Sequence, residues 1–206
     1  MRTLAIECAT EACSAALFDG DGLLDGRCEV IGRGHAERLV PMIAELPGKG
    51  RATRIVVSLG PGSFTGVRIG LAAARALGLA WGAKVLGYPT LALVAAMARV
   101  EQPGPVTVCM AGGHGEWFVQ DFGADGLPEH KLRSQKPEVA LHDMHHSVAA
   151  GSKAKELLQF GEPGMLALDI LPDARMFTLL PPVLLDSDLS PIYGRPPDAR
   201  LPEART

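Results

Sequence analysis

Hydrophobic and polar positions follow two different periods along the first hundred residues. Alternating or short continuous apolar runs predict β-strands, whereas apolar positions three and four apart predict helices. The predicted strands cover 4–6, 13–18, 23–31, 55–59 and 84–87, and the predicted helices cover 35–46, 64–81 and 91–100. Three strands followed by alternating helices and strands indicate an α/β fold, a mixed sheet with helices packed on it.

The pattern starts again after Pro103-Gly104-Pro105, which we take as a domain boundary. Strands are predicted at 106–110, 116–122, 127–132 and 148–151, a helix at 152–160 with Ser152 as its N-cap, and a proline-rich surface segment at 181–202. Both halves open with three strands, so we expect an internal duplication. The first domain would cover 1–102, and the second, with its proline-rich tail, would cover 103–206.

The helix predicted at 64–81 carries small residues on one side. Gly66, Gly70, Ala74 and Gly78 recur at every fourth position and form a stripe of small residues. Each glycine costs a helix about 1 kcal/mol relative to alanine, so the stripe needs compensation. Close approach of another helix or of the sheet would provide it. The flanking positions are also apolar, which indicates a buried helix, partly against a second chain.

The turn before this helix, GPGSFTGVRIG at 60–70, could be a phosphate-binding loop, hold a catalytic serine, or begin the closely packed stripe, and the stripe explains the most residues. A P-loop requires GxxxxGK followed by Ser or Thr, and the turn has no lysine. A nucleophile elbow requires GxSxG, which the spacing around Ser63 does not match. Ser63 is better explained as the N-cap of the following helix.

Composition narrows the function classes. Of the 206 residues, 47% are hydrophobic and 21% are charged, which is typical of a globular protein. The net charge is -3, so the chain lacks the excess of basic residues that usually binds nucleic acid directly. The four cysteines form no CxxC pair, so we expect reduced thiols and a cytoplasmic protein. Arg68 and Arg75 interrupt the most apolar window, which argues against a membrane span.

Two polar groups are candidates for chemistry. Glu7, Thr10 and Ser14 lie at the first strand turn, where a carboxylate could meet a metal-bound nucleotide; the alternative is a polar turn. His142, His145 and His146 have helix-like spacing and could bind a metal, but only one carboxylate accompanies them. We favour a solvated surface run and predict no metal site.

Four blocks of sequence carry a family resemblance. They are LAIECATEACSAAL at 4–17, HAERLVPMI at 35–43, GPGSFTGVRIG at 60–70 and GYPTL at 87–91. Their order and spacing resemble the TsaB family, formerly called YeaZ. In the second half the main anchors are GEWF at 115–118 and PIYGR at 191–195.

The resemblance implies a pair of actin-like, ribonuclease-H-like lobes. Members of the family are non-catalytic partners of TsaD, which transfers threonylcarbamoyl from its adenylate to N6 of the adenosine beside the anticodon. The resemblance further implies a TsaE-like ATPase as a second partner, a homodimer when the chain is alone, and contact with tRNA only through the complex. It implies no cofactor of the chain's own, and ATP or ADP only at a partner interface. The interface residues implied are His35, Arg38, Leu39, Met42, Gly66, Ile69, Gly70, Ala73, Ala74 and Leu77.

The chain also departs from related sequences. The metal-binding histidines of TsaD align with Thr90 and Val94, which makes metal-dependent transfer at that place unexpected. Glu7 replaces the usual aspartate of TsaB, Ala111-Gly112-Gly113 replaces Asp-Ala-Arg, and Gly194 replaces a leucine. The second lobe is therefore expected to be degenerate. Two alternatives stay open, a nucleotide-dependent enzyme of the superfamily and a metallopeptidase-like protein.

Overall fold

The first half forms a five-stranded mixed sheet. A computed structural model of the protein describes residues 1–159 and 164–194. The strands are β1 (Arg2–Glu7), β2 (Ala12–Asp19), β3 (Gly22–Val30), β4 (Arg54–Ser58) and β5 (Lys84–Tyr88). Their spatial order is β3-β2-β1-β4-β5. Strand β2 is antiparallel to both of its neighbours, β1 and β3, whereas β4 and β5 are parallel to β1.

The second half repeats this sheet. Its strands are β6 (Val106–Gly113), β7 (Glu116–Phe122), β8 (Arg133–Gln135), β9 (Val148–Ala150) and β10 (Leu166–Leu168). Their spatial order, β8-β7-β6-β9-β10, matches the first sheet strand for strand. An antiparallel three-strand meander followed by two parallel strands therefore occurs twice, which confirms the predicted duplication and fold class.

The helices divide between the faces of the two sheets. They are α1 (His35–Glu45), α2 (Phe64–Trp81), α3 (Thr90–Glu101), α4 (Pro137–His142) and α5 (Ala154–Leu158), with 3₁₀ helices at Pro47–Gly50, Ala174–Leu179 and Pro182–Leu184. Alternation along β1 directs Leu4 and Ile6 toward α1 and α2, and Ala5 toward the opposite core that contains α3. In the second half, α4 and α5 pack on the outer face of the sheet through Ala140, Ala154 and Leu157.

One continuous core joins the two halves. Helix α3 is buried along nearly all its length, between side chains of both sheets. The predicted boundary at 102/103 falls in the connection from α3 to β6, but the segment after β10 crosses back to the first sheet. There Phe177 contacts Phe18 edge to face, with ring centroids 5.7 Å apart, and the Gly87 amide donates to the Asp186 carbonyl over 2.7 Å. Residues of the segment after β10 thus pack against and hydrogen-bond to the first sheet.

The irregular second half is where the predicted elements were wrong. Strand β8 begins at Arg133, whereas a strand was predicted from residue 127. The Asp125 side chain accepts a hydrogen bond from the Leu127 amide (2.9 Å), so residues 125–127 form a turn at the start of a long connection. Helix α5 begins at Ala154, since the Ser152 hydroxyl accepts from the Ala111 amide (3.2 Å) and does not cap the helix. The elements α4 and β10 had no predicted counterpart. The predicted helix end at 160 and the tail 195–202 lie outside the described residues.

Within residues 1–159 and 164–194, no helix combines the length and the apolar character needed to cross a membrane.

Candidate functional site: the outer helices and the cleft between the halves

The glycine-rich turn before α2 makes its hydrogen bonds within the chain. The Ser63 hydroxyl accepts from the Gly66 amide (3.2 Å), which confirms Ser63 as the N-cap. The Ser63 amide donates to the Ala9 carbonyl over 2.7 Å. A β-carbon on Gly62 would overlap the Ala9 carbonyl. These glycines therefore allow two backbone segments to touch, and these amides are not free to hold a phosphate.

The stripe of small residues on α2 faces the sheet of its own chain. A β-carbon on Gly66 would overlap the Cys8 carbonyl oxygen, and one on Gly78 would overlap the side chain of Val85. At Gly70 the nearest atom would be 3.5 Å away, an ordinary contact. The stripe therefore compensates its helix cost by packing on the sheet, one of the two alternatives derived from sequence.

Six of the ten residues expected at a partner interface are buried within the chain. Five of these six lie in the core below α1 and α2: Leu39, Met42, Gly66, Gly70 and Ala74. They pack against the first sheet because the apolar faces of both helices are used there. Large or charged side chains at these positions would disturb folding before they disturbed any partner contact.

Two polar residues of α1 also act within the chain. The His35 ring is buried, and its Nε2 lies 2.8 Å from the Thr10 carbonyl oxygen, so it donates there and ties α1 to the β1–β2 turn. The Arg38 guanidinium donates to both Glu29 (2.5 Å) and Glu45 (2.7 Å). Its charge is therefore paired inside the first half.

The outward side of the two helices is largely apolar, although it also carries the exposed charges of Glu37, Arg68 and Arg75. The expected interface residues Ile69, Ala73 and Leu77 are half-buried at its border. The α1–α2 face, as we name it, consists of the exposed residues Val40, Pro41, Ala44, Ala72, Ala76, Leu79 and Ala80. The apolar positions flanking the stripe were expected to make contacts, but none of these seven residues was among the expected interface residues, although the period that places the glycines on one side of α2 places alanines on the other. Leu79 is 89% exposed, so nothing within the described chain covers this face.

Glu7 and Ser14, expected near a nucleotide, lie in the core. The Glu7 carboxylate accepts from the Ala9 amide (2.7 Å) and the Tyr88 hydroxyl (3.3 Å), and burial raises its pKa to about 7 against the opposing effect of these bonds. The Ser14 hydroxyl accepts from the Ala174 amide over 2.9 Å. Strand pleating directs both inward, and Thr10 alone of the three lines the cleft.

The cleft between the two halves has a volume of about 850 Å³. The start of α2 forms one wall, the β6–β7 turn around His114 forms another, and Tyr193 comes from the end of the described chain. At its mouth the Arg68 guanidinium lies 3.5 Å from the centre of the Phe64 ring and donates to the Tyr193 hydroxyl (3.1 Å). Such a cleft can take a small ligand, but Glu7 does not reach it.

The three histidines near residue 145 do not converge. His142 is exposed at the end of α4, and His146 Nε2 lies 2.8 Å from Glu129. The ring of His145 lies beside that of His130, which sequence reasoning did not consider, with centroids 5.2 Å apart. The helical spacing assumed for the cluster is absent because α4 ends at His142.

Comparisons with known proteins agree with the fold. A protein-family model described as "TsaD: tRNA N6-adenosine threonylcarbamoyltransferase" matches residues 28–169. The Escherichia coli protein named tRNA threonylcarbamoyladenosine biosynthesis protein TsaB is 42% identical over 100 residues, 46% of this chain and 43% of that protein. Its Haemophilus influenzae namesake is 39% identical over 194 residues, 83% of this chain and 80% of that protein. The chain thus spans less than half of the E. coli relative that it matches.

A solved structure shows the same architecture. YeaZ from Pseudomonas aeruginosa superposes with a TM-score of 0.75 at 27% identity, covering 86% of this chain and 89% of that one. The family model spans more than half of the chain, and the H. influenzae relative aligns along most of both proteins. The chain therefore belongs to the TsaB (YeaZ) family.

Proposed function

We propose that the chain is a cytoplasmic, non-catalytic subunit in the biosynthesis of N6-threonylcarbamoyladenosine in tRNA, and that it binds and activates a TsaD-like transferase. The names of the E. coli and H. influenzae relatives support the pathway. A TsaE-like ATPase belongs to the same proposal, and tRNA is contacted only through the complex.

The α1–α2 face is the observation that carries the role. Its exposed residues are alanines, larger aliphatic side chains and one proline, and α1 and α2 contact each other side by side on one sheet. An exposed apolar surface built from two rigid helices is typical of a protein interface. The alanines let a partner helix approach closely, while Val40 and Leu79, 55% and 89% exposed, supply larger apolar side chains to bury. In the absence of a partner the same face pairs two copies of the chain.

The positions that align with the metal histidines of TsaD favour a non-catalytic subunit. Thr90 is fully buried, and its hydroxyl lies 2.5 Å from that of Ser58. Val94 is fully buried in the core shared by both sheets. A valine offers no metal ligand, and the Thr90 hydroxyl is already engaged, so a TsaD-type metal centre does not fit here.

The nucleotide-dependent alternative has its own test. Its proposed metal-ATP carboxylate, Glu7, is enclosed in the core, whereas the cleft remains large enough for a ligand. Calorimetric titration with Mg-ATP, first on the chain alone and then on its complex with TsaD, separates the possibilities. We expect binding only in the complex, at the partner interface, and saturable binding to the isolated chain would favour the enzyme.

Size-exclusion chromatography with a purified TsaD-like protein tests the proposed role. We expect the two proteins to co-elute at a larger size than either alone. Persistent separate elution, with a TsaE-like ATPase and ATP also present, would contradict the proposal.

A further inference from the structure

Three metal-ligand side chains from separate segments meet on the outer face of the second sheet. Asp121 comes from β7, His130 from the β7–β8 connection and His145 from the α4–β9 connection. Ligand atoms of all three lie within 4.8 Å of one another. His130 Nδ1 lies 3.5 Å from Asp121 Oδ2. Only His145 belonged to a cluster that the sequence suggested, and the sequence does not indicate that Asp121 and His130 lie beside it.

The connections that carry the histidines are held in place by other contacts. The Glu129 amide donates to the Asp121 carbonyl (2.9 Å), and the Gln120 side chain donates to the His130 carbonyl (3.1 Å). Across the gap, His146 Nε2 lies 2.8 Å from Glu129 Oε2. The residue beside each histidine thus links the two segments. The imidazoles are brought together before any ligand binds.

Asp121 is oriented by its neighbours. The carboxylate is fully buried, one oxygen accepts from the Thr107 hydroxyl (2.6 Å), and the other accepts from Arg133 (2.8 Å). The ion pair with Arg133 explains how the buried charge is tolerated without a metal. It does not explain why two imidazoles from different segments lie beside the same carboxylate. Hydrogen bonds to a ligating carboxylate are the usual outer layer of a metal site.

We propose that Asp121, His130 and His145 bind a divalent transition metal, with Zn²⁺ as the best match. Two imidazoles and a carboxylate with a fourth position open to water are ligands that Zn²⁺ accepts, whereas Mg²⁺ and Ca²⁺ prefer oxygen ligands alone. Metal–ligand bonds of about 2.0–2.2 Å require ligand atoms closer than the apo arrangement has them. Side-chain rotation supplies the change, because His130 is 52% exposed and His145 is also exposed.

Bound metal would fasten the β7–β8 connection to the α4–β9 connection over β7. This site replaces the interpretation of the histidines as a solvated run, and it uses His145 without His142 or His146. It does not depend on the proposed role in tRNA modification, since it lies on the second sheet and away from α1 and α2.

Calorimetric titration of tag-free, chelator-stripped protein with ZnCl₂ tests the site. We expect one Zn²⁺ per chain, and His130→Ala and His145→Ala should each weaken binding by about tenfold or more, at least the loss seen when supporting residues of metal sites are removed. His142→Ala is the matched control, because His142 is exposed and close in sequence but outside the cluster. It should bind Zn²⁺ as the unmodified protein does.

Thermal unfolding gives a second readout. Zn²⁺ should raise the unfolding temperature of the unmodified protein and of His142→Ala, and leave both cluster variants unchanged. The variants should fold normally without metal, since both histidines are exposed. The proposal is overturned if the unmodified protein does not bind Zn²⁺ or if His142→Ala weakens binding as much as the cluster variants do. It is also overturned if both cluster variants bind Zn²⁺ fully, as they would if thiols were the ligands.

Discussion

The two sheets have the same strand order, but the layers that cover their outer faces differ. On the first sheet, α1 and α2 are long helices, 11 and 18 residues, with apolar residues on both their inward and outward sides. On the second sheet, α4 and α5 have six and five residues, and the polar cluster combines Asp121 of β7 with histidines of two connections. The duplication therefore preserved the sheets and changed the surface that each half presents.

The difference lies in how each outer layer is attached. Gly66 and Gly78 let α2 pack directly on the first sheet through backbone and small side chains. The outward alanines remain available for a partner. In the second half a buried ion pair between Asp121 and Arg133 occupies the corresponding outer layer. An apolar outer layer suits association with another protein, and a polar one suits an ion.

The largest expected loss of unfolding free energy comes from breaking the packing of α2 on the first sheet. Gly66→Ala places a methyl group against the Cys8 carbonyl, which is backbone and yields little, so we expect a loss of about 3 kcal/mol of unfolding free energy. Gly70→Ala is the control on the same stripe. Its new methyl group meets ordinary contacts, and the helix gains about 0.5–1 kcal/mol. Urea unfolding measures both, and equal effects would contradict the packing described.

The second-largest expected loss of unfolding free energy comes from breaking the buried ion pair on the outer face of the second sheet. Arg133→Met leaves the buried Asp121 carboxylate without its cation, and we expect a loss of about 2–3 kcal/mol, moderated by Thr107 and His130. Arg38→Met removes an arginine that pairs with two carboxylates on the surface of the first half, where screening makes the loss smaller. Urea unfolding of both variants makes this comparison. A larger loss for Arg38→Met would reverse the assignment of the buried pair to the second half.

Glu7, in the first half, should make the stability of the protein depend on pH. The folded protein raises the pKa of Glu7 to about 7, above the unfolded value, so its protonated form stabilises the fold at low pH and this stability is lost as pH rises toward 7. Between about pH 5.5 and pH 8 the loss attributable to Glu7 is about 2 kcal/mol. Glu7→Gln should remove that part of the pH dependence. Chemical unfolding across this range checks it, and an unchanged profile in the variant would count against it.

Much of the first half was predictable, because its elements are long and strongly periodic. The order of strands and helices through residue 101 and the Ser63 cap followed from spacing alone. The partner of the glycine stripe did not, since small residues on a helix indicate close approach without saying what approaches. Alternation along β1 could have placed Glu7 inside, because it shares the face of Ala5.

The second half was less predictable for a physical reason. Short elements such as α4 and β10 lack enough residues to show a period, and their positions depend on tertiary contacts. The approach of His130 to Asp121 depends on a long connection after β7, and that connection has no repeating pattern. The metal-ligand cluster could therefore be found only in three dimensions.

The affinity of the chain for a TsaD-like transferase, measured for two matched variants, tests the central claim most directly. Ala76→Arg places a charge in the middle of the α1–α2 face, and Val139→Arg places the same charge on exposed helix α4 of the other half. Both positions are exposed, so both variants should fold. We expect Ala76→Arg to weaken the complex by more than about tenfold, at least 1.4 kcal/mol, while Val139→Arg leaves it unchanged. Equal affinities for the two variants, or a loss confined to Val139→Arg, would contradict the assignment of the interface to the first half.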